Sequence, residues 1–535
     1  MKKLVVLVIL LFSVNTFAAD RYCGSSSAGS NNGTDWANQW ACPGSPSSGD
    51  TVYMDGGSSG VTYTIDTTEW TLSTNATYKC GSASPTPIDH SGLVRIQPHS
   101  AGDPNSAVTI HADVVINGAY DGRTTAGGTI NMVFGYNWTV ILQEEGHKVS
   151  AYYIEIEQCE DGILMKTSNA TAAAPSVIAY NNIHNCNEGC IVSSSDTAYD
   201  SDSILIHHNT LGTNCWLFEG ALGCLQSMID NPGDDSKSCG AGGDGVRGGS
   251  GLSIYNNTIT CNWGNLGDST QHQDGIQLLG GNNKIYNNLI DTSAQGIFVD
   301  PYGSKSNVYI YNNVVQSAGP ASRTGDINSG IVLMQDGTKG ESPYNVTFDN
   351  FQVFNNVIAD WPYAGIWLQS FGATTPHWTN SVFKNNIIIN SGHDLGGGIS
   401  ADGTGTYTCG TTGDGADLTF DKNVLYVDSE HTDYGKNNIW CNGANVSQAS
   451  GSTSLPAFTS YTYRPAYNSA TRNDYTLTSG DTVAKWTGTA TGQLSSTDKA
   501  GINWHSPPSI GAYEYVAGAV TDTISGAVLS GAVVK

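Results

Sequence analysis

The sequence predicts an all-β chain wound as a parallel β-solenoid, on the strength of recurring phrases and the lack of any amphipathic helical pattern between them. The first phrase is an aliphatic or aromatic pair, two asparagines and a second aliphatic run. It reads IAYNNI ending at Ile183, LSIYNNTI at Ile259, NKIYNNLI at Ile290, NVYIYNNVV at Val315, FQVFNNVI at Ile358 and SVFKNNIII at Ile389. Looser copies are ILIHHNTL at Leu211 and LTFDKNVL at Leu425. Aligning the second asparagine gives Asn182, Asn209, Asn257, Asn288, Asn313, Asn356, Asn386 and Asn423, separated by 27, 48, 31, 25, 43, 30 and 37 residues. The short gaps suit one coil each, and the longer ones suit a coil with an inserted loop. The second phrase is a small turn, Gly and an apolar run: DGILM from Asp161, EGCIV from Glu188, DGIQLL from Asp274, QGIFV from Gln295, SGIVLM from Ser329, AGIWL from Ala364 and GGIS from Gly397. Each repeat therefore supplies at least two short strands divided by Gly, Asn, Asp and Ser turns.

Asparagine has a structural reason to recur. It tolerates left-handed backbone, and its amide can bond the turn or the same amide one coil away, which satisfies polar groups that a turn would otherwise bury. On these phrases the stretch from about Ala107 to Val427 resembles the right-handed parallel β-helix superfamily, the pectate-lyase-like proteins. The resemblance implies a right-handed solenoid and a surface groove for polysaccharide; the asparagines themselves speak for architecture.

The expected organisation follows the chain. Residues 1–19, MKKLVVLVILLFSVNTFAA, have a basic start, an apolar run and small residues before Asp20, the pattern of a cleaved signal peptide. The protein is thus expected to be secreted or held at the cell surface. Residues 20–106 hold a cap and the first coils, 107–427 the solenoid core with an insertion at 214–250, and 428–515 a C-terminal region. GTDW and GDTVY in the first part resemble the opening of secreted bacterial β-helix proteins. SPPSIGAYEY, ending at Tyr515, resembles the terminal phrase of β-helix proteins with a choice-of-anchor domain. Residues 516–535 look like the first strands of a β-sandwich cut short.

All twelve cysteines lie beyond the leader, which suggests disulfides whose pairing the sequence leaves open. Cys186 and Cys190 beside His184 offer zinc as a competing reading. The formal net charge of −25, from 47 acidic and 22 basic residues, argues against nucleic acid as a partner. It also disfavours a polyanionic substrate unless cations bind first. No segment after the leader is apolar enough to span a membrane. The expected partner is a polysaccharide bound by a monomer, with no membrane insertion.

Alternation along the second phrase places residues two and four after the glycine outward. That set reads Leu164 and Lys166, Ile191 and Ser193, Gln277 and Leu279, Phe298 and Asp300, Val332 and Met334, Trp367 and Gln369. Phe298 and Trp367, with Gln277 and Gln369, form a surface suited to stacking on sugar rings and bonding hydroxyls, unless loops such as 317–328 cover it. QHQDGIQLL then supplies the densest chemistry. Asp274 and Asp300, one coil apart, are the candidate acid and base of a hydrolase, and His272 would tune one of them. HQDG at Asp274 resembles NTDG of polygalacturonase-like hydrolases, but Ala294 and Gln295 stand where that family has a pair of aspartates, and no GHG phrase follows. Asp274 as a turn cap is the structural alternative.

A lyase would use a base such as Arg247 beside Asp244, or Lys166 beside Asp161, with Ca²⁺ neutralising a uronate. Asp230, Asp234 and Asp235 in the insertion are candidate Ca²⁺ ligands; a solvated acidic loop is the alternative, and hydrolysis would need no cofactor. The chain is therefore read as a secreted glycoside hydrolase or polysaccharide lyase, with a non-catalytic adhesin or glycan-binding β-helix as the alternative and a uronate epimerase as a third reading.

Overall fold

The computed structural model describes residues 18–515 apart from 66–67, 82–89, 99–105, 122, 136, 158, 167–170, 172, 194–202, 213–243, 261–273, 293–294, 301–302, 318–328, 337–346, 362, 372–376, 393–397, 402–407, 412–415, 429–436, 442–443, 447, 449–450, 462–472, 490–495 and 507. Three long parallel sheets run side by side along the chain. Sheet A passes from Trp40–Ala41 and Asp20–Gly24 through Thr51–Met54 to Leu418–Asp421, sheet B from Val61–Ile65 to Val424–Tyr426, and sheet C from Trp70–Leu72 to Ile439–Cys441. Successive strands visit A, B and C in turn, and each pairs with its counterpart one coil on. This is a parallel β-helix. The only helix among the described residues is one turn at Trp36–Asn38, capped by the Asp35 side chain.

The coils start at Thr51, inside the segment expected to hold the cap and first coils. Asp244–Gly248 is already a sheet C strand, so the core resumes before residue 250, where the insertion was expected to end. Residues 1–17, within the expected signal peptide, and the tail 516–535 lie outside the described residues. No described helix is long and apolar enough to cross a membrane.

Inside, aliphatic residues stack in files, such as Val246, Ile276, Ile297, Ile331 and Ile366 on sheet C, all fully buried. The asparagine phrase divides its two positions between two tasks. The first takes left-handed backbone: Asn256, Asn287, Asn312, Asn355 and Asn385 have φ from 54° to 58°. The second points inward and forms a ladder. The backbone N–H and the amide Nδ2 of Asn288 both donate to Asn313 Oδ1 at 3.0 Å, while Nδ2 also donates to Ile254 O of the preceding coil at 2.9 Å. The ladder runs through Asn181, Asn209, Asn257, Asn288, Asn313, Asn356, Asn386 and Asn423, and Gln448 closes it by accepting from the Asn423 backbone N–H. In the first member the ladder takes Asn181, not the Asn182 of the alignment. Tyr180, at φ 62°, fills the left-handed position there, so the asparagine pair sits one residue later in a phrase of the same length.

On the outer face of sheet A the rings of His207, Tyr255, Tyr286, Tyr311 and Phe354 stack coil on coil, with centroids 4.7 to 5.2 Å apart. The outer face of sheet B is polar in its early coils, where Arg95 pairs with Glu157 and His184 with Glu155. In its late coils it turns apolar, and Val314, Val357, Ala359, Ile387 and Ile389 are covered by Tyr475, Leu477, Ala484, Ile510 and Ala512 of the C-terminal region.

The GAYE phrase is the core of that cover. Glu514 folds back to accept from the backbone N–H groups of Ser509 (2.9 Å) and His505 (3.1 Å), and Asp498 accepts from the N–H of Glu514 (2.7 Å) and of Ile502 (2.7 Å). Burial pushes the Asp498 carboxyl up to about 6 from its usual 3.8. The folded protein then keeps a proton that the unfolded chain has released, so the stability this contributes is full below pH 3.8 and lost as the pH rises through 6. Asp498→Asn is expected to lack that loss. Urea unfolding of wild type and variant at pH 4 and pH 6 measures it, and an equal fall in both proteins would exclude Asp498 as the cause.

Three disulfides are described: Cys23–Cys42, Cys159–Cys186 and Cys409–Cys441. Cys186 is therefore spent on a bridge between neighbouring coils, which removes the zinc reading with Cys190 and His184.

Candidate functional site

The site begins with the glycine of the second phrase, where the chain enters sheet C against the next coil. A Cβ on Gly275 would stand 2.5 Å from Ile290 Cγ2 and 2.6 Å from Gly296 O; on Gly296 it would stand 2.2 Å from Val315 Cγ1. No side chain fits there, so the strand enters bare of one and the residue just before turns to the outside. Asp274, Gln295, Ser329 and Ala364 occupy that preceding position in register. Asp244 precedes Asp274 in the same file, its Oδ1 accepting the Asp274 backbone N–H at 2.9 Å. Ala364 packs with Phe298, Val332 and Trp367 in a cluster separate from the interior, which identifies the file as outward-facing.

Two further files lie beside it. One is Arg247, Gln277, Phe298, Val332, Trp367 and Ser400. The next holds Leu279, Asp300, Met334 and Gln369. The expected outward direction of Gln277, Phe298, Asp300, Val332, Trp367 and Gln369 thus matches the register. The EGCIV coil differs by one residue: Gly189 pairs with Asp244 and Ile191 with Val246, so Ile191 and Ser193 face inward and Val192 outward. An extra residue between Cys186 and Gly189 displaces the glycine there.

Exposure departs from the expectation. Phe298 is 1% exposed and Trp367 3%, Asp274 is 0% and Asp300 1%, so these outward residues are covered and do not line an open groove. Arg247, Gln277, Met334 and Gln369 are half-buried and form the accessible margin. Gln295 is fully buried with neither amide atom hydrogen-bonded, and the Ser329 hydroxyl and Gln369 Oε1 also lack partners. Buried polar atoms without partners cost about 1–3 kcal/mol each, so four on three residues of one strip call for an explanation such as a ligand.

Asp274 and Asp300 are not neighbours. Gln295 is the register partner of Asp274, and Asp300 lies five residues further along its strand, with its N–H bonded to Leu278 O. At about 3.3 Å per residue along the strand and about 4.8 Å across to the next coil, the two aspartates stand roughly 17 Å apart, too far for an acid and base on one bond. The coil spacing of about 5 Å applies only between register partners. The carboxylate that does adjoin Asp274 is Asp244, expected from the sequence only as the neighbour of Arg247. A carboxylate immediately before the glycine in consecutive coils was the signal that could have found it.

His272 and the Ca²⁺ candidates Asp230, Asp234 and Asp235 lie outside the described residues. Among the described residues no group of three His, Cys, Asp or Glu is arranged to hold a metal. Lys166, the other candidate base, is bound to Glu144 at 2.8 Å. On sheet B, Glu155 is held below its usual range by the hydrogen bond from His184, and Arg95 in the same cluster is paired with Glu157.

No protein-family model and no curated protein matches the chain. Among solved structures it is similar to a complex of XylC with xylose, at 10% identity over 82% of this chain and 87% of that one, TM-score 0.39. It is also similar to the catalytic unit of a thermostable GH87 alpha-1,3-glucanase from Streptomyces thermodiastaticus strain HF3-3, at 14% identity over 76% of this chain and 64% of that one, TM-score 0.37. A third is pectate lyase Pel9A, at 12% identity over 93% and 96%, TM-score 0.33. These likenesses carry no conclusion about activity. On its own three in-register parallel sheets, the chain is a parallel β-helix protein.

Proposed function

We propose that this is a secreted or surface-exposed carbohydrate-active protein that cleaves an extracellular polysaccharide on the outward face of sheet C. The observation that carries the reading is the file Asp244, Asp274, Gln295 and Ser329 beside Arg247 and Gln277, which combines carboxylates with unpartnered amide and hydroxyl groups. Carboxylates supply acid and base for glycoside cleavage, and amides and hydroxyls bond sugar hydroxyls. Arg247 is the one cation of that strip among the described residues, and the chain carries a net charge of −25. Both favour a neutral glycan over a uronate polymer.

The test is a mass-spectrometric product scan of wild type and Asp274→Asn on neutral and uronate polysaccharides, with and without Ca²⁺. The expected result is neutral fragments carrying one added water, formed without Ca²⁺ and about 10²–10⁴-fold more slowly by the variant. Unsaturated ends requiring Ca²⁺ would identify a lyase. Binding without products from any substrate would favour the adhesin.

A further inference from the structure

We infer that Asp244 and Asp274, stacked on neighbouring coils, are the catalytic carboxyl pair of this site, and that they hydrolyse a glycoside with retention of anomeric configuration. The inference rests on the reading of sheet C as a polysaccharide-cleaving face. Register partners in a parallel sheet stand about 4.8 Å apart, close to the 5–5.5 Å between carboxyls of retaining enzymes and short of the 6.5–9.5 Å that inversion needs for an intervening water. The hydrogen bond from Asp274 N–H to Asp244 Oδ1 at 2.9 Å ties the two positions together.

An aspartate before a glycine also caps turns, so stacked carboxylates alone would not make a site. The independent observation is Gln295, next in the same file on the far side of Asp274, 0% exposed with both amide atoms unpartnered. Ser329 follows it with an unpartnered hydroxyl. A donor and acceptor pair left empty beside two carboxyls is what a sugar with vicinal hydroxyls would fill. Arg247 and Gln277, three residues along from the two aspartates, border the pair on the half-buried side and give a saccharide chain its approach.

Asp274 takes the role of acid and Asp244 that of nucleophile, its Oδ1 oriented by the Asp274 backbone N–H. In the first step the Asp274 proton passes to the glycosidic oxygen as that oxygen leaves the anomeric carbon, and an Asp244 oxygen bonds to the carbon from the opposite face. In the second step water adds to the anomeric carbon and gives its proton to Asp274, the ester bond to Asp244 breaks, and both carboxyls return to their starting states. On the other side of Asp244, Gly189 leaves a gap before Asp161, about 10 Å away by coil spacing. A pair formed across that gap would invert, so the stereochemistry reports which partner acts.

The experiment uses the polysaccharide that wild type cleaves. Proton NMR of the first-formed reducing end is expected to show the anomer of the substrate. Asp244→Asn keeps an oxygen to accept the Asp274 N–H and so preserves the turn; its turnover is expected to fall by at least about 10²-fold. With Asp244→Ala, added azide is expected to restore turnover and yield a glycosyl azide of inverted configuration. Inverted product from wild type, unsaturated product, or full activity of Asp244→Asn would overturn the inference while leaving polysaccharide cleavage intact. No cleavage of any polysaccharide by wild type would overturn the underlying reading itself.

Discussion

Asn313→Ala is expected to lower the unfolding free energy by about 3 kcal/mol or more, measured by urea denaturation. Asn313 is fully buried and takes part in five hydrogen bonds: it receives the N–H and Nδ2 of Asn288, and its own N–H and Nδ2 donate to Asn356 Oδ1 while Nδ2 also reaches Ile285 O, all at 3.0 Å. Alanine removes the side chain and strands the Asn288 N–H and the Ile285 carbonyl away from water. Each such orphan costs about 1–3 kcal/mol, and the cavity adds to it. Asn313→Asp separates bonding from volume. It has the same shape, but an oxygen replaces Nδ2 and faces Asn356 Oδ1 at 3.0 Å, so a loss at least as large is expected. By contrast, Asn256→Gly should be nearly neutral, because Asn256 is there for its left-handed backbone at φ 55°. Equal losses at Asn256 and Asn313 would refute this division of roles.

Gly511→Ala is expected to release the C-terminal cover and cost about 2–4 kcal/mol. Gly511 has φ +94°, and a Cβ there would stand 2.6 Å from Ile387 Cδ1 and 3.3 Å from Val357 Cγ2. Both are sheet B residues that the cover shields, and the Gly511 N–H is bonded to Asn385 O of the same coil. Alanine therefore meets strained backbone and a packed interior at once. Hydrogen exchange should show faster exchange across 474–515 and across the sheet B strand Ile387–Ile389, while the early coils keep their protection. Uniform loosening of the whole solenoid would contradict a local cover.

The legible part of this molecule was its period. The asparagine phrase announced the coils because each copy satisfies the same two demands, a left-handed residue and an inward amide, and the alternation after the glycine held wherever the glycine kept its place. It slipped at EGCIV, where Gly189 takes the position of Asp244, and at Asn182, where Tyr180 replaces the first asparagine. The sequence did not show that the GAYE phrase seals the outer face of sheet B, because the apolar residues it covers lie more than a hundred positions earlier.

The candidate site was legible as residues but not as a pair. Asp274 and Asp300 are close in sequence and far apart along the strands, whereas Asp244 and Asp274, 30 residues apart, share a hydrogen bond. By itself the sequence determined the architecture, since periodic spacing of turn and strand residues is local chemistry repeated in every coil. Only the tertiary structure decided which side chains meet and which see water. Those depend on the register between coils and on what covers each face, and both are set by loop lengths and packing between residues remote in the chain.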